Sequence, residues 1–103
     1  MMDYIEIIDT IAKAAKKMET VEIYYPKTEN TKEGWREVEP YSLSLDIGGE
    51  HLVYRGDRIS PGHIFNGYTV NSKDDHCDSF IIGKIKKVRL TNNKFKPKWP
   101  IEF

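Results

Sequence analysis

Cysteine is almost missing from this chain of 103 residues: Cys77 stands alone. No internal disulfide can form, so the fold must rest on apolar packing, and a reducing cytoplasm is the expected setting. Long apolar runs are missing from the N-terminal segment MMDYIEIIDTIAKAAKKM. Its longest run is two residues, and Asp3, Glu6 and Asp9 interrupt it. That pattern fits neither a signal peptide nor a membrane span, so a soluble, cytoplasmic protein with no membrane contact is expected. No glycine-rich loop precedes a helix, so no dinucleotide or P-loop signature is present. Net charge is absent as well, with 16 Lys and Arg against 16 Asp and Glu. A neutral chain has no bulk attraction for nucleic acid.

What is present suffices for a core. Hydrophobic residues make up 39% and aromatic residues 12% of the chain. A length of 103 residues fits one domain, taken here as residues 1–103. The charge is unevenly placed. Residues 84–103 hold seven bases and one acid, whereas residues 1–83 hold nine bases and fifteen acids. No acid stands between Ile81 and Pro100.

Residues 1–19 read as one amphipathic helix. Ile5, Ile8, Ala12, Ala15 and Met18 recur at steps of three and four, with Ile7 and Ile11 widening the stripe. Asp3 is the expected N-cap, with Glu6 three residues on. From Thr20 the pattern becomes β. VEIYY places Val21, Ile23 and Tyr25 on one side. WREVE alternates and is expected to close or kink at Pro40. YSLSLDI alternates again, Gly48-Gly49 reads as a hairpin turn, and EHLVYR returns from it. Residues 56–63 read as a loop, IFNGYTV as a strand, and NSKDDHCDS as a polar loop. FII and KKVRL read as two short strands or one strand bent at Gly83. By order this is α+β, by content mainly β. The expected architecture is a small β-barrel over residues 20–92 behind one helix, with residues 93–103 as a tail packed on it.

His76 and Cys77, flanked by Asp75 and Asp78 and joined by His51 or His63, could hold a metal. None is paired at the spacing that structural zinc sites use, so a solvated turn is the simpler reading. Cys77 lacks a nucleophile motif, and Ser60 lies in ISPGH rather than G-x-S-x-G. No enzyme activity and no cofactor are expected. The basic run Lys84, Lys86, Lys87, Arg89, Lys94, Lys96 and Lys98 interleaves with Phe95 and Trp99, a pattern that can hold single-stranded nucleic acid. The plainer reading has the lysines in solvent and the rings packed down. Arg36, Arg55 and Arg58 are the other anion-binding candidates, since arginine matches phosphate in a bidentate fork.

Taken in order, five segments resemble a WYL domain over nearly the whole chain. AAKKMETVEIYYP is similar to the family's helix and first strand. WREVEPYSL matches its next segment through Arg36, Val38, Pro40 and Leu43. GGEHLVYRGD occupies the place of the strand that names the family, with Glu50, His51 and Leu52 at the Trp-Tyr-Leu positions. SFIIGKIKKVRLTNNKF matches its signature through Phe80, Lys84, Ile85 and Val88, with Phe95 trailing. FKPKWPIEF resembles the ending of one branch. Asp78 stands where such domains carry a base.

The resemblance implies an Sm-like or SH3-like barrel and a regulatory ligand-binding domain, often found attached to a DNA-binding helix-turn-helix. The single expected helix is needed to cover the barrel, so no helix-turn-helix is expected here. The expected function is binding of a nucleotide or short single-stranded nucleic acid without catalysis. The expected ligand-binding residues are Arg36, His51, Arg55 and Lys84, with Tyr25 or Tyr54 as stacking surface. The alternative is a protein-interaction or homo-oligomerisation module using the WPIEF end.

Overall fold

The computed structural model of the chain describes residues 3–29, 31–44, 53–55, 58–60, 63–70 and 76–103. The element order is α1 (Tyr4–Lys17), β1 (Glu19–Tyr25), β2 (Gly34–Ser44), β3 (Val53–Arg55), β4 (Arg58–Ser60), β5 (Ile64–Thr69), β6 (Asp78–Ile81), the 3-10 turn η1 (Ile82–Lys84) and β7 (Lys87–Lys94). One N-terminal helix leads into an antiparallel five-stranded sheet of order β6-β5-β2-β1-β7, and β3 and β4 form a separate hairpin. The fold is mainly β, as the strand patterns indicate.

The helix starts as its sequence indicates. The Asp3 carboxylate accepts the Glu6 N–H at 2.8 Å, satisfying one of the orphan donors of the first turn. Its buried face differs from the expected one. Ile7, Ile11, Ala14 and Ala15 are buried, whereas Ile5 is 69% and Met18 48% exposed. Two stripes with helical spacing lie side by side here, and only the sheet selects between them. The helix ends at Met18 in the left-handed region, φ 54°, with its N–H donating to Ala14 O and Ala15 O. A non-glycine residue pays a steric cost in that conformation. Met18→Gly is therefore expected to raise stability by about 0.5–1 kcal/mol, a Tm gain of several degrees in a thermal melt. An unchanged or lower Tm would contradict the strained cap.

The long strand β2 organises the sheet. WREVE and YSLS, expected as separate strands, are one element that passes through Pro40. Gly34–Val38 pair with β1, and Val38–Ser44 pair with β5. Only Val38 stands in both registers. The pairing slips between Pro40 and Ser42, leaving Tyr41 as the extra residue of a β-bulge. Proline is tolerated at such a place because the ladder is interrupted there. The strand thus changes partner at a bend, which turns one half of the sheet over the other.

The ends of the sheet show the same coiling. Laid flat, β6 and β7 would lie about 19 Å apart, four strand spacings. Only residues 82–86 join them, three of these forming η1, whose rise is about 2 Å per residue. The Ile82 N–H donates to His63 O beside β5, and the Lys86 N–H donates to Tyr24 O on β1. The link therefore bridges the two halves. Among the described residues β6 and β7 themselves do not pair. The core lies inside the coil: Val21, Ile23 and Val88 from one half, Phe65 and Phe80 from the other, closed by Ile7, Ile11 and Ala14 of α1 and by Ile82 and Ile85.

A further difference concerns a connection. Residues 56–63, expected as a loop, contain β4, which pairs with β3 in the register Arg55↔Arg58. Only residues 56 and 57 separate these strands, the length of the tightest hairpins. The Gly48-Gly49 turn and the polar loop residues 71–75 lie outside the described residues.

The C-terminal segment straps the bend. The Phe95 N–H donates to Met18 O, and the Glu102 N–H donates to Tyr41 O at 2.7 Å, the carbonyl that the bulge frees from the ladder. Tyr41 meets Phe95 and Trp99 edge-on at 5.8 and 5.3 Å. Its hydroxyl donates to Glu39 Oε1 at 2.7 Å and accepts from the Lys98 N–H at 3.0 Å.

Three phenols tie elements together in this way. Tyr4 bonds His63 Nδ1, Tyr25 accepts the Ile81 N–H at 2.9 Å, and Tyr41 joins the bend to the tail. Burial, the largest cause in each case, raises all three phenol pKa values, that of Tyr4 to about 12. An unfolded tyrosine ionises near pH 10. Between these values the native state holds protons that the unfolded state has released, so stability falls as pH rises. Stability measured by urea unfolding is expected to hold up to about pH 10 and decline from there toward pH 12. A flat profile over that window would contradict these assignments.

Candidate anion-binding site

Two arginine side chains are described, and they differ in one respect. Arg89 is exposed on β7 and donates Nε to Glu22 Oε1 at 3.0 Å. Its guanidinium lies over the Trp35 ring, 3.9 Å from the centroid. Arg36 is half-buried on β2 and has no carboxylate within ion-pair distance among the described residues.

The position of Arg36 follows from the register. Opposite residues of an antiparallel pair share a face. Arg36 stands opposite Ile23, with Val38 opposite Val21 and Gly34 opposite Tyr25. Ile23, Val21 and Val38 are fully buried, so Arg36 is the charged residue of a core-facing row. Its guanidinium lies 5.2 Å from the centroid of the Tyr25 ring and 6.0 Å from that of Phe80. Nη2 donates to Pro26 O at 3.1 Å and to Thr28 Oγ1 at 3.4 Å. Nε is buried with no hydrogen-bond partner among the described residues.

The electrostatics are those of a cation poorly compensated by protein. Burial pulls the Arg36 pKa below its ordinary value, opposed by Tyr25 and then by Asp78. Arginine remains charged at neutral pH despite such a shift. Asp78 shares this concave side: it stands opposite Gly67, which stands opposite Pro40. Its Oδ2 accepts the Thr69 hydroxyl at 2.8 Å. The geometry is a half-buried guanidinium on a rigid strand, with an aromatic wall, a hydroxyl at Thr28 and a carboxylate at Asp78. Such a site can fix a phosphate or carboxylate by charge-assisted hydrogen bonds.

The expected site residues fall as follows. Arg36 and Tyr25 come together, but Tyr25 is only 5% exposed. Its ring meets Phe80 edge-on at 5.2 Å, so it walls the site from within the core and offers no free face for a base to stack on. Lys84 is exposed in η1, with no ion-pair partner among the described residues. The hairpin strand β3, which carries Tyr54 and Arg55, packs against η1, so those backbones and Lys84 share one region; the Tyr54 and Arg55 side chains lie outside what is described. His51 also lies outside the described residues. Thr28, the Pro26 carbonyl, Phe80 and the Thr69–Asp78 pair were not foreseen as neighbours of Arg36. A backbone carbonyl leaves no mark in a sequence. Phe80 and Asp78 reach Arg36 only through the coiling of the sheet.

The other candidates resolve into local structure. Burial raises the Cys77 thiol pKa, with Asp78 and Glu39 adding to it, so the thiol is not activated as a nucleophile. Among the described residues no group of three or more His, Cys, Asp or Glu is placed to hold a metal. No helix among them is long and apolar enough to cross a membrane. A scan of the sequence against models of known protein families returns no match, and no curated protein matches it either.

Proposed function

We propose that the chain is a regulatory binding domain similar to WYL domains, taking a nucleotide or short single-stranded nucleic acid through a phosphate held by Arg36. The observation that carries this reading is the half-buried Arg36 guanidinium, which among the described residues has no carboxylate partner and an orphan Nε. A partly desolvated cation that is not ion-paired is costly, and an anionic ligand meeting it would recover part of that cost. The coiled sheet behind a covering helix supports the small Sm-like barrel that the ordered motifs imply. A cytoplasmic setting and the absence of catalysis belong to the same proposal. The alternative, assembly through WPIEF, has less support, because Trp99 is occupied by Tyr41 and Tyr68 of its own chain.

Thermal melts test the proposal. A ligand at about 100 times its Kd adds about 2.7 kcal/mol to stability. Saturating nucleoside monophosphate or a short oligodeoxynucleotide is expected to raise the Tm of the parent by about 10 °C or more. Arg36→Met should show no such rise. Its own stability should stay close to that of the parent, since removing the buried Nε donor offsets the loss of the Nη2 bonds to Pro26 O and Thr28 Oγ1. No shift with either ligand in the parent would count against the proposal.

A further inference from the structure

The basic C-terminal run does not form a track for a nucleic-acid strand. Lys86 pairs with Glu33 at 2.9 Å, Arg89 with Glu22 at 3.0 Å, Lys94 with Glu19 at 3.2 Å and Lys98 with Glu39 at 3.5 Å. Four of its seven cations are thus matched one-to-one by acids from β1, β2 and the segment between them. A polyanion is drawn by net positive potential along its path, and these pairs cancel most of it. The rings are committed as well. Trp99 lies edge-on to Tyr41 and tilted against Tyr68, Phe95 lies edge-on to Tyr41, and Arg89 covers one face of Trp35. Strand binding needs successive open ring faces beside free cations.

Lys84, Lys87 and Lys96 of the run have no ion pair among the described residues but are exposed to solvent, whereas Arg36 is an unpaired cation that is half-buried, on the concave side of the sheet and not along this run. Asp78 on the same side repels every phosphate charge brought to it, which favours the ligand that carries the fewest, while its carboxylate accepts hydrogen bonds from hydroxyl or amino groups. We infer that the ligand of this site is a mononucleotide, with a single phosphate on Arg36 and a sugar hydroxyl or base amino group on Asp78. The inference rests on the reading of Arg36 as the anion-binding residue.

Calorimetric titration of the parent chain tests it, using each of the four ribonucleoside 5′-monophosphates, inorganic phosphate and a single-stranded thymidine 12-mer. The expected result is binding of at least one monophosphate about tenfold or more tighter than inorganic phosphate, with Arg36→Met weakening it at least about tenfold. Its salt dependence should be shallow, a log–log slope no steeper than about −1, as one phosphate contact requires. The 12-mer should bind no tighter than the monophosphate. A 12-mer that binds tenfold tighter with a steep salt slope would overturn the mononucleotide and leave the broader proposal standing. Equal binding of inorganic phosphate would also overturn it, leaving an anion site at Arg36. No binding by any of these would overturn both.

Discussion

Phe65→Ala is expected to destabilise the protein by about 3–5 kcal/mol, the cost of emptying an aromatic site in a close-packed interior. Phe65 is fully buried on β5. Its ring tilts against Phe80 at 5.9 Å, and it faces Leu43 across the β2–β5 ladder. These strands form the half of the sheet that folds over β1 and β7. The cavity would open where the two halves meet, and neither half can close it without unwinding the bend at Tyr41. For a domain of this size such a loss is a large part of the total stability. Urea unfolding of parent and variant would measure it. Phe65→Leu should cost much less, because it keeps most of the apolar volume. A loss below about 1 kcal/mol for the alanine variant would place Phe65 outside the core.

Gly67→Ala should also destabilise strongly, by about 2–3 kcal/mol through overpacking. A Cβ built at Gly67 would lie 2.3 Å from Val38 Cγ1 and 3.0 Å from both Glu39 O and Phe65 Cζ. Val38 is fully buried and stiff at its β-carbon, and the Glu39 carbonyl is backbone, so neither neighbour yields cheaply. The sign of the effect is informative. Were the position open, alanine would stabilise by about 0.4–1 kcal/mol by restricting the unfolded chain. The clash has a named partner, so Val38→Ala in the same chain should recover part of the loss. Additive losses in the double variant would show that Val38 is not the obstacle.

The sequence carried the local elements well and their assembly less well. VEIYY, IFNGYTV and KKVRL are strands because β-branched and aromatic residues alternate there, and that period survives into the structure. The helix was legible, but its face was not, since Ile5-Ile8 and Ile7-Ile11 both satisfy helical spacing. Pro40 misled in a physical way. Proline ordinarily ends an interior strand, yet here it sits beside the Tyr41 bulge, where the ladder is already broken. The bend at that bulge decides which residues meet. Arg36 and Tyr25 were expected in one site, and they are one register step apart. Phe80, Asp78 and Thr69 join them through long-range coiling that no local pattern encodes. The basic run was legible as a run, but its pairing with Glu19, Glu22, Glu33 and Glu39 was not, because those acids come from β1, β2 and the segment between them, distant in sequence.

The claim that matters most is that Arg36 is an anion-binding group and not only a prop for Pro26 and Thr28. The arginine side-chain Nε–H resonances of the ¹⁵N-labelled protein test it directly. Arg36→Lys identifies the Arg36 signal by its disappearance. Addition of a mixture of the four ribonucleoside 5′-monophosphates is predicted to shift that signal progressively to saturation, while the Arg89 signal, held by Glu22, stays in place. An Arg36 signal that does not move, or one that moves no more than that of Arg89, would contradict the account.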